Sequence, residues 1–233
     1  MKILALESSA KAASVAVSDG DTVISQYFQS SGLTHSRTLL AMAQDILNNM
    51  ELGMSDIDGV AVAAGPGSFT GIRIGLAAAK GLAWGAEKPL CGVSTLEAMA
   101  YLCPREDVTV CPVMDARRNQ VYNARFIISN GTVSRLTEDR AISLDDLASE
   151  IKIDEKPQFL LGDGALMCYN YLLEIGANVL LAPETNRLQN AWGVCRAASA
   201  SGRFVSPDEI VPNYLRLSQA ERERLARLGH DSK

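Results

Sequence analysis

The sequence predicts an α/β protein of two tandem lobes, each built on a mixed five-stranded sheet with helices on both faces. Three observations point there. Strand-like apolar runs alternate with segments of helical period along the whole chain. The order strand-strand-strand-helix-strand-helix-strand occurs before residue 104 and again after it. The chain has 233 residues, 47% of them apolar and 21% charged, enough to bury a sizeable core.

In the first half, residues 2–7 read as a buried strand, 13–18 as a second and 22–28 as a third, with Asp19-Gly20-Asp21 as the hairpin turn between the last two. Residues 35–50 form a helix, because Leu39, Leu40, Met42, Ala43, Ile46, Leu47 and Met50 recur at three- and four-residue spacing. Residues 59–64 are a fourth strand. Ser68 opens a second helix that runs to about Trp84, 89–93 is a fifth strand, and Ser94 or Thr95 caps a short helix reaching Cys103.

The second half repeats the order. Strands are expected at 108–114, 120–128 and 132–136, with Asn130-Gly131 as a hairpin turn. Ser143 and Asp146 form a capping box for a helix over 143–151. A strand at 158–161, a helix at 165–174, a strand at 179–181 and a helix at 187–201 follow. Three antiparallel strands followed by alternating units give a mixed sheet. Two such lobes in tandem are the layout of the actin, sugar kinase and Hsp70 superfamily, so the expected architecture is the actin-like ATPase (ASKHA, RNase H-like) fold. The expected division is an N-terminal lobe over 1–103, a smaller C-terminal lobe over 104–217 and a charged tail over 218–233, the tail read as a surface helix.

Charge and composition exclude several functions. Twenty-two basic against 27 acidic residues leave a net charge of −5, the wrong sign for a chain that grips nucleic acid on its own. The five cysteines, Cys91, Cys103, Cys111, Cys168 and Cys195, form no C-x-x-C pair and lie mostly in apolar runs, as reduced core residues of a cytoplasmic protein do. Only Ile3 to Leu6 separate Lys2 from Glu7, too short for the apolar core of a leader, and no apolar run reaches the ~18 residues of a membrane span. The only histidines, His35 and His230, are far apart, so no metal site is expected and a metalloprotease is disfavoured. No G-x-S-x-G elbow is present.

Gly65-Pro66-Gly67-Ser68-Phe69-Thr70-Gly71 lies between a strand and a helix. Its third glycine comes one residue late for a dinucleotide fingerprint, and Ile72 stands where a P-loop has lysine. A tight turn with Ser68 as N-cap is the simpler reading, and an anion at the helix N-terminus the other. Actin-fold ATPases hold Mg²⁺ and phosphate with a carboxylate and small hydroxyl residues after the first strand. Here that position reads Glu7-Ser8-Ser9-Ala10-Lys11. Glu7, Ser8, Ser9 and Lys11 are therefore the phosphate candidates, against a reading of Glu7 as a strand-ending residue facing solvent.

The helix after Ser68 is unusually rich in small residues: Gly71, Gly75 and Ala79 stand four apart, and Ala77, Ala78, Gly81 and Ala83 cover most of the rest. Glycine inside a helix costs about 1 kcal/mol relative to alanine, which is tolerated where something approaches closely. One reading flattens this helix onto its own sheet. The other, favoured because the apolar surface runs nearly all round, adds a second packing surface for a partner's helices. That interface would use Leu39, Ala43, Ile46, Leu47 and Met50 with Gly71, Ile72, Gly75, Leu76 and Ala79.

Gly65-Pro66-Gly67-Ser68-Phe69-Thr70-Gly71-Ile72-Arg73-Ile74-Gly75 resembles the signature of the bacterial TsaB (YeaZ) family. Asp115-Ala116-Arg117-Arg118 with Val121-Tyr122, and Pro212-Asn213-Tyr214-Leu215-Arg216, agree with it. The resemblance covers about residues 1–217; Glu7 departs from the aspartate common at that position. It implies a non-catalytic subunit for making threonylcarbamoyladenosine in tRNA, beside the anticodon. It also implies pairing with the catalytic paralogue TsaD and with the ATPase TsaE, and a homodimer in isolation. No cofactor is expected on the chain alone, with ATP or ADP at the complex interface. tRNA would be met only through the complex, with Arg117 and Arg118 as contacts. An independent actin-fold ATPase or phosphotransferase is the alternative; it would need phosphate loops at 7–11 and at Gly162-Asp163-Gly164.

Overall fold

A computed structural model of the protein describes residues 1–216, and the charged tail expected over 218–233 lies outside the described residues. The first sheet holds β1 (Lys2–Glu7), β2 (Ala13–Asp19), β3 (Thr22–Gln29), β4 (Gly59–Gly65) and β5 (Leu90–Ser94) in the order β3-β2-β1-β4-β5. β1 pairs antiparallel with β2 and parallel with β4, so three antiparallel strands are extended by parallel ones as the segment order predicted. Helices α1 (His35–Asn49) and α2 (Phe69–Gly85) cover one face, where Leu4, Leu6, Val15, Val60 and Val62 meet Leu39, Ile46, Ile72 and Ala79.

The second sheet holds seven strands, not five: β6 (Thr109–Asp115), β7 (Gln120–Asn123), β8 (Phe126–Ser129), β9 (Thr132–Arg135), β10 (Arg140–Ser143), β11 (Gln158–Leu161) and β12 (Val179–Leu181). The single strand expected over 120–128 is broken because Pro112 of β6 has no N–H to donate. β8 pairs with β6 at Thr109 and Val110, and β7 pairs with it from Val113 onward. Between them the side chain of Asn123 donates to the Pro112 carbonyl at 3.0 Å. The other addition, β10, is short and polar, and pairs with β7.

Helix α3 (Thr95–Ala100) is capped by Ser94, whose hydroxyl accepts from the Glu97 N–H. Helix α4 (Leu144–Lys152) is capped by Ser143, whose hydroxyl accepts from the Asp146 N–H. The Asp146 carboxylate takes that hydroxyl in return, so only the N-cap half of the expected capping box forms, and α5 (Ala165–Glu174) follows β11. The helix expected over 187–201 is two: α6 (Glu184–Arg187) and α7 (Ala191–Ser201), the second capped by Asn190.

The lobe division differs from the expected one. α7 packs on the free face of the first sheet, where Ala191, Val194, Cys195 and Ala198 meet Ile3, Ala5, Ala16 and Ala61. Val205 then bridges Leu90 on β5. Residues 191–216 therefore complete the N-terminal lobe, because that sheet has a second apolar face that nothing in 1–103 covers in full. All five cysteines are buried and unpaired. Among the described residues no helix is long and apolar enough to cross a membrane.

Candidate functional site

The three sequence motifs converge where the carboxyl ends of the strands of both lobes meet. The end of β1 lies against the first turns of α2: the Ser68 N–H donates to the Ser9 carbonyl at 2.7 Å, and the Ser8 hydroxyl donates to the Gly71 carbonyl at 2.9 Å. A methyl on Gly71 would overlap the Ser8 carbonyl oxygen, and one on Gly75 would stand 2.5 Å from the Ser8 hydroxyl. These glycines let α2 lie directly on the loop after β1.

The segment after residue 211 closes the same region. The Asn213 N–H donates to the Ala64 carbonyl at 2.7 Å at the end of β4. The Tyr214 ring stacks on Phe69 with centroids 4.7 Å apart, and Arg73 lies 3.8 Å from the Phe69 ring centre while donating from Nε to the Tyr214 hydroxyl at 2.9 Å. Arg216 then reaches the other lobe, donating to the Ala116 carbonyl at 2.5 Å.

Glu7, read as a candidate for phosphate binding or a residue facing solvent, is fully buried. One carboxyl oxygen accepts from the Ser9 N–H at 2.5 Å, and the other has no partner among the described residues. Burial raises its pKa to about 7, with the nearby Asp163 carboxylate adding to the rise. Asp163 stands on the Gly162-Asp163-Gly164 turn, so the fold does bring the two candidate phosphate loops together. Its pKa is also raised, first by burial, and it accepts from the Gln189 amide at 3.2 Å.

The pair does not fit a Mg²⁺–phosphate group. Ser8 and Ser9 are as buried as Glu7, and the Ser8 hydroxyl and the Ser9 N–H are both engaged within the chain. Of the four candidates only Lys11 faces solvent, beside a cavity of about 450 Å³ lined by Leu33, His35, Ser68, Thr70 and Ile74. Among the described residues no group of histidine, cysteine or acidic side chains could hold a metal ion.

The ten residues read as a partner interface are corrected in the same way. Leu39, Ala43, Ile46, Leu47, Gly71, Ile72, Gly75, Leu76 and Ala79 are buried inside this chain, and Met50 packs against the same core. The small-residue face of α2 serves its own sheet and the Ser8 loop. The exposed residues of these helices include Leu40 and Ala41 of α1 beside the polar Arg37, Gln44, Asp45 and Asn48, and Arg73, Ala77, Gly81 and Trp84 of α2. Arg117 and Arg118, the candidate RNA contacts, are exposed on the loop between β6 and β7. The pairing of the 212–216 segment with α2 has no periodic signal in the sequence to reveal it.

A family model described as "TsaD: tRNA N6-adenosine threonylcarbamoyltransferase" matches residues 24–222. The tRNA threonylcarbamoyladenosine biosynthesis protein TsaB of Bacillus subtilis is 31% identical over 229 residues, covering 95% of this chain and 96% of that one. Its counterpart in Escherichia coli is 38% identical over 152 residues, covering 64% and 65%. Among solved structures, YeaZ from Pseudomonas aeruginosa aligns with a TM-score of 0.78 at 26% identity, covering 92% of this chain and 99% of that one.

Proposed function

Because this chain belongs to the TsaB (YeaZ) family of threonylcarbamoyltransferase-like proteins, we propose that it is a subunit of the machinery that makes threonylcarbamoyladenosine in tRNA. In this reading it pairs with TsaD, which carries the chemistry, and TsaE joins the pair. The observation that carries the reading is the closed end of β1: the Glu7 carboxylate and the Ser8 and Ser9 hydroxyls, which an actin-fold ATPase would turn to phosphate, are all buried, and the Ser8 hydroxyl is bonded to α2. A chain spanning nearly the whole length of a TsaB relative, with that site closed, acts by shape and surface.

The pairing surface of this reading is the outward side of α1 and α2. Leu40 and Trp84 are each about half exposed there, at 50% and 52%. Ala77 and Gly81 leave the α2 backbone open to close approach, since a methyl on Gly81 would touch nothing. In isolation the same surface supports a homodimer. Any ATP or ADP of the assembly is expected at the partner boundary, where Lys11 is the exposed cation of the candidate set. The cytoplasm, where the tRNA is, is the expected location.

The test is reconstitution of threonylcarbamoyl transfer on tRNA with TsaD and TsaE of the same organism. The expected result is no turnover by this chain alone and turnover by TsaD only when this chain is added. Equal turnover without the chain, or metal-dependent ATP hydrolysis by the chain alone that Glu7→Ala abolishes, would overturn it; the latter outcome belongs to the alternative reading as an independent phosphotransferase.

A further inference from the structure

We infer that Arg73, Arg117, Arg118 and Arg216, together with the exposed Tyr214 ring, form a seam across both lobes that holds the phosphate backbone of the tRNA in the assembled complex. This rests on the function proposed above and adds to it the surface by which an acidic chain meets RNA. Arg117, Arg118 and Asn119 all adopt left-handed backbone conformations, with φ of 62°, 55° and 58°. Three successive residues other than glycine do so only where the surroundings hold them. Here the Arg117 N–H donates to Asp115 at 2.7 Å, the Ala116 N–H to the Gln120 carbonyl at 3.0 Å, and the Leu144 N–H to the Asn119 carbonyl at 3.2 Å. The loop thus presents two adjacent guanidinium groups on a fixed frame.

Neither guanidinium meets a carboxylate among the described residues. In the same lobe Arg125, Arg135 and Arg140 are each ion-paired. The 214–216 segment carries the seam onward: Arg216 binds the Ala116 carbonyl beside Arg117, and Tyr214, two residues earlier, binds Arg73 of α2. Arg216 and Arg73 also lack a carboxylate partner among the described residues. The acidic group on this stretch, Asp115, already accepts from the Arg117 backbone. Unpaired guanidinium groups gathered in a chain of net charge −5 ask for an anion outside it. The Tyr214 ring, 36% exposed among them, favours nucleic acid over a protein carboxylate, since an unpaired base can stack on it.

The experiment measures tRNA binding by the complex of this chain with the threonylcarbamoyltransferase subunit at several salt concentrations. Wild type is compared with the double variant Arg117→Gln, Arg118→Gln, and with the conservative pair Arg117→Lys, Arg118→Lys. A pull-down of the transferase subunit is run on each. The glutamine pair should still capture the subunit, bind tRNA at least about tenfold more weakly near 0.1 M salt, and lower the slope of log K against log salt by about 1.5; the lysine pair should restore most of the slope. Unchanged affinity and slope in an intact complex overturn the seam alone. Loss of the pull-down in the glutamine pair overturns it too, by showing that these arginines face protein. Failure of wild type to hold the transferase subunit overturns the proposed function, and the seam with it.

Discussion

The Ser8 hydroxyl donates to the Gly71 carbonyl at 2.9 Å, tying the loop after the first strand to the first turn of α2. Gly71 and Gly75 are small because Ser8 lies where their side chains would be. The contact couples the most specific motif of the sequence to the end of β1 and the loop after it, which carry Glu7, Ser8 and Ser9.

Gly71→Ala is expected to destabilise the protein by about 2–3 kcal/mol, since the methyl meets backbone oxygen and the helix must move away. Gly81→Ala, in the same helix but facing open space, is expected to stabilise it by up to about 1 kcal/mol. Urea titrations of the two variants give the comparison. Equal effects would show that α2 does not rest on the Ser8 loop.

The two sides of α2 should answer differently to charge. Ala79 is fully buried, so Ala79→Arg places an unpaired cation in the core and is expected to unfold the chain. Ala77 is exposed, so Ala77→Arg should leave the circular dichroism spectrum unchanged and weaken capture of TsaD by tenfold or more. A folded Ala79→Arg variant would contradict the packing described above, and normal capture by Ala77→Arg would move the pairing surface elsewhere.

Stability should fall as pH rises from about 4.5 to about 7. Glu7 has its pKa raised from 4.5 to about 7 in the folded state, so the folded chain holds more protons than the unfolded chain between those values. Below pH 4.5 both forms are protonated and nothing is lost; above 7 both are ionised and the full penalty, on the order of 3 kcal/mol, is present. Glu7→Gln should flatten this dependence, matching wild type near pH 4.5 and exceeding it at pH 8. Parallel curves for the two proteins would remove Glu7 as the cause.

A fragment of residues 1–103 should not fold. It contains all five strands of the first sheet, but Ala191, Val194, Cys195 and Ala198 of α7 cover one face of that sheet. The exposed Ile3, Ala5 and Ala61 would drive aggregation. A cooperative thermal transition in the fragment would restore the simpler two-lobe division.

Periodicity and capping residues alone determined most of the elements. The strand runs, the helices opened by Ser68, Ser94 and Ser143, and the turns at Gly20 and Gly131 follow from interactions between residues close in the chain. The glycine motif likewise identified the family without any structure. What the sequence could not determine was which apolar face met which neighbour. Leu39, Ile46 and Ala79 look the same whether they pack on a partner or on their own sheet, because the hydrophobic effect carries no direction. Only the tertiary structure assigned them inward, returned α7 to the first sheet and brought Arg216 beside Ala116. Glu7 shows the same limit: a carboxylate at a strand end is polar by composition, and only the fold around it takes it out of water.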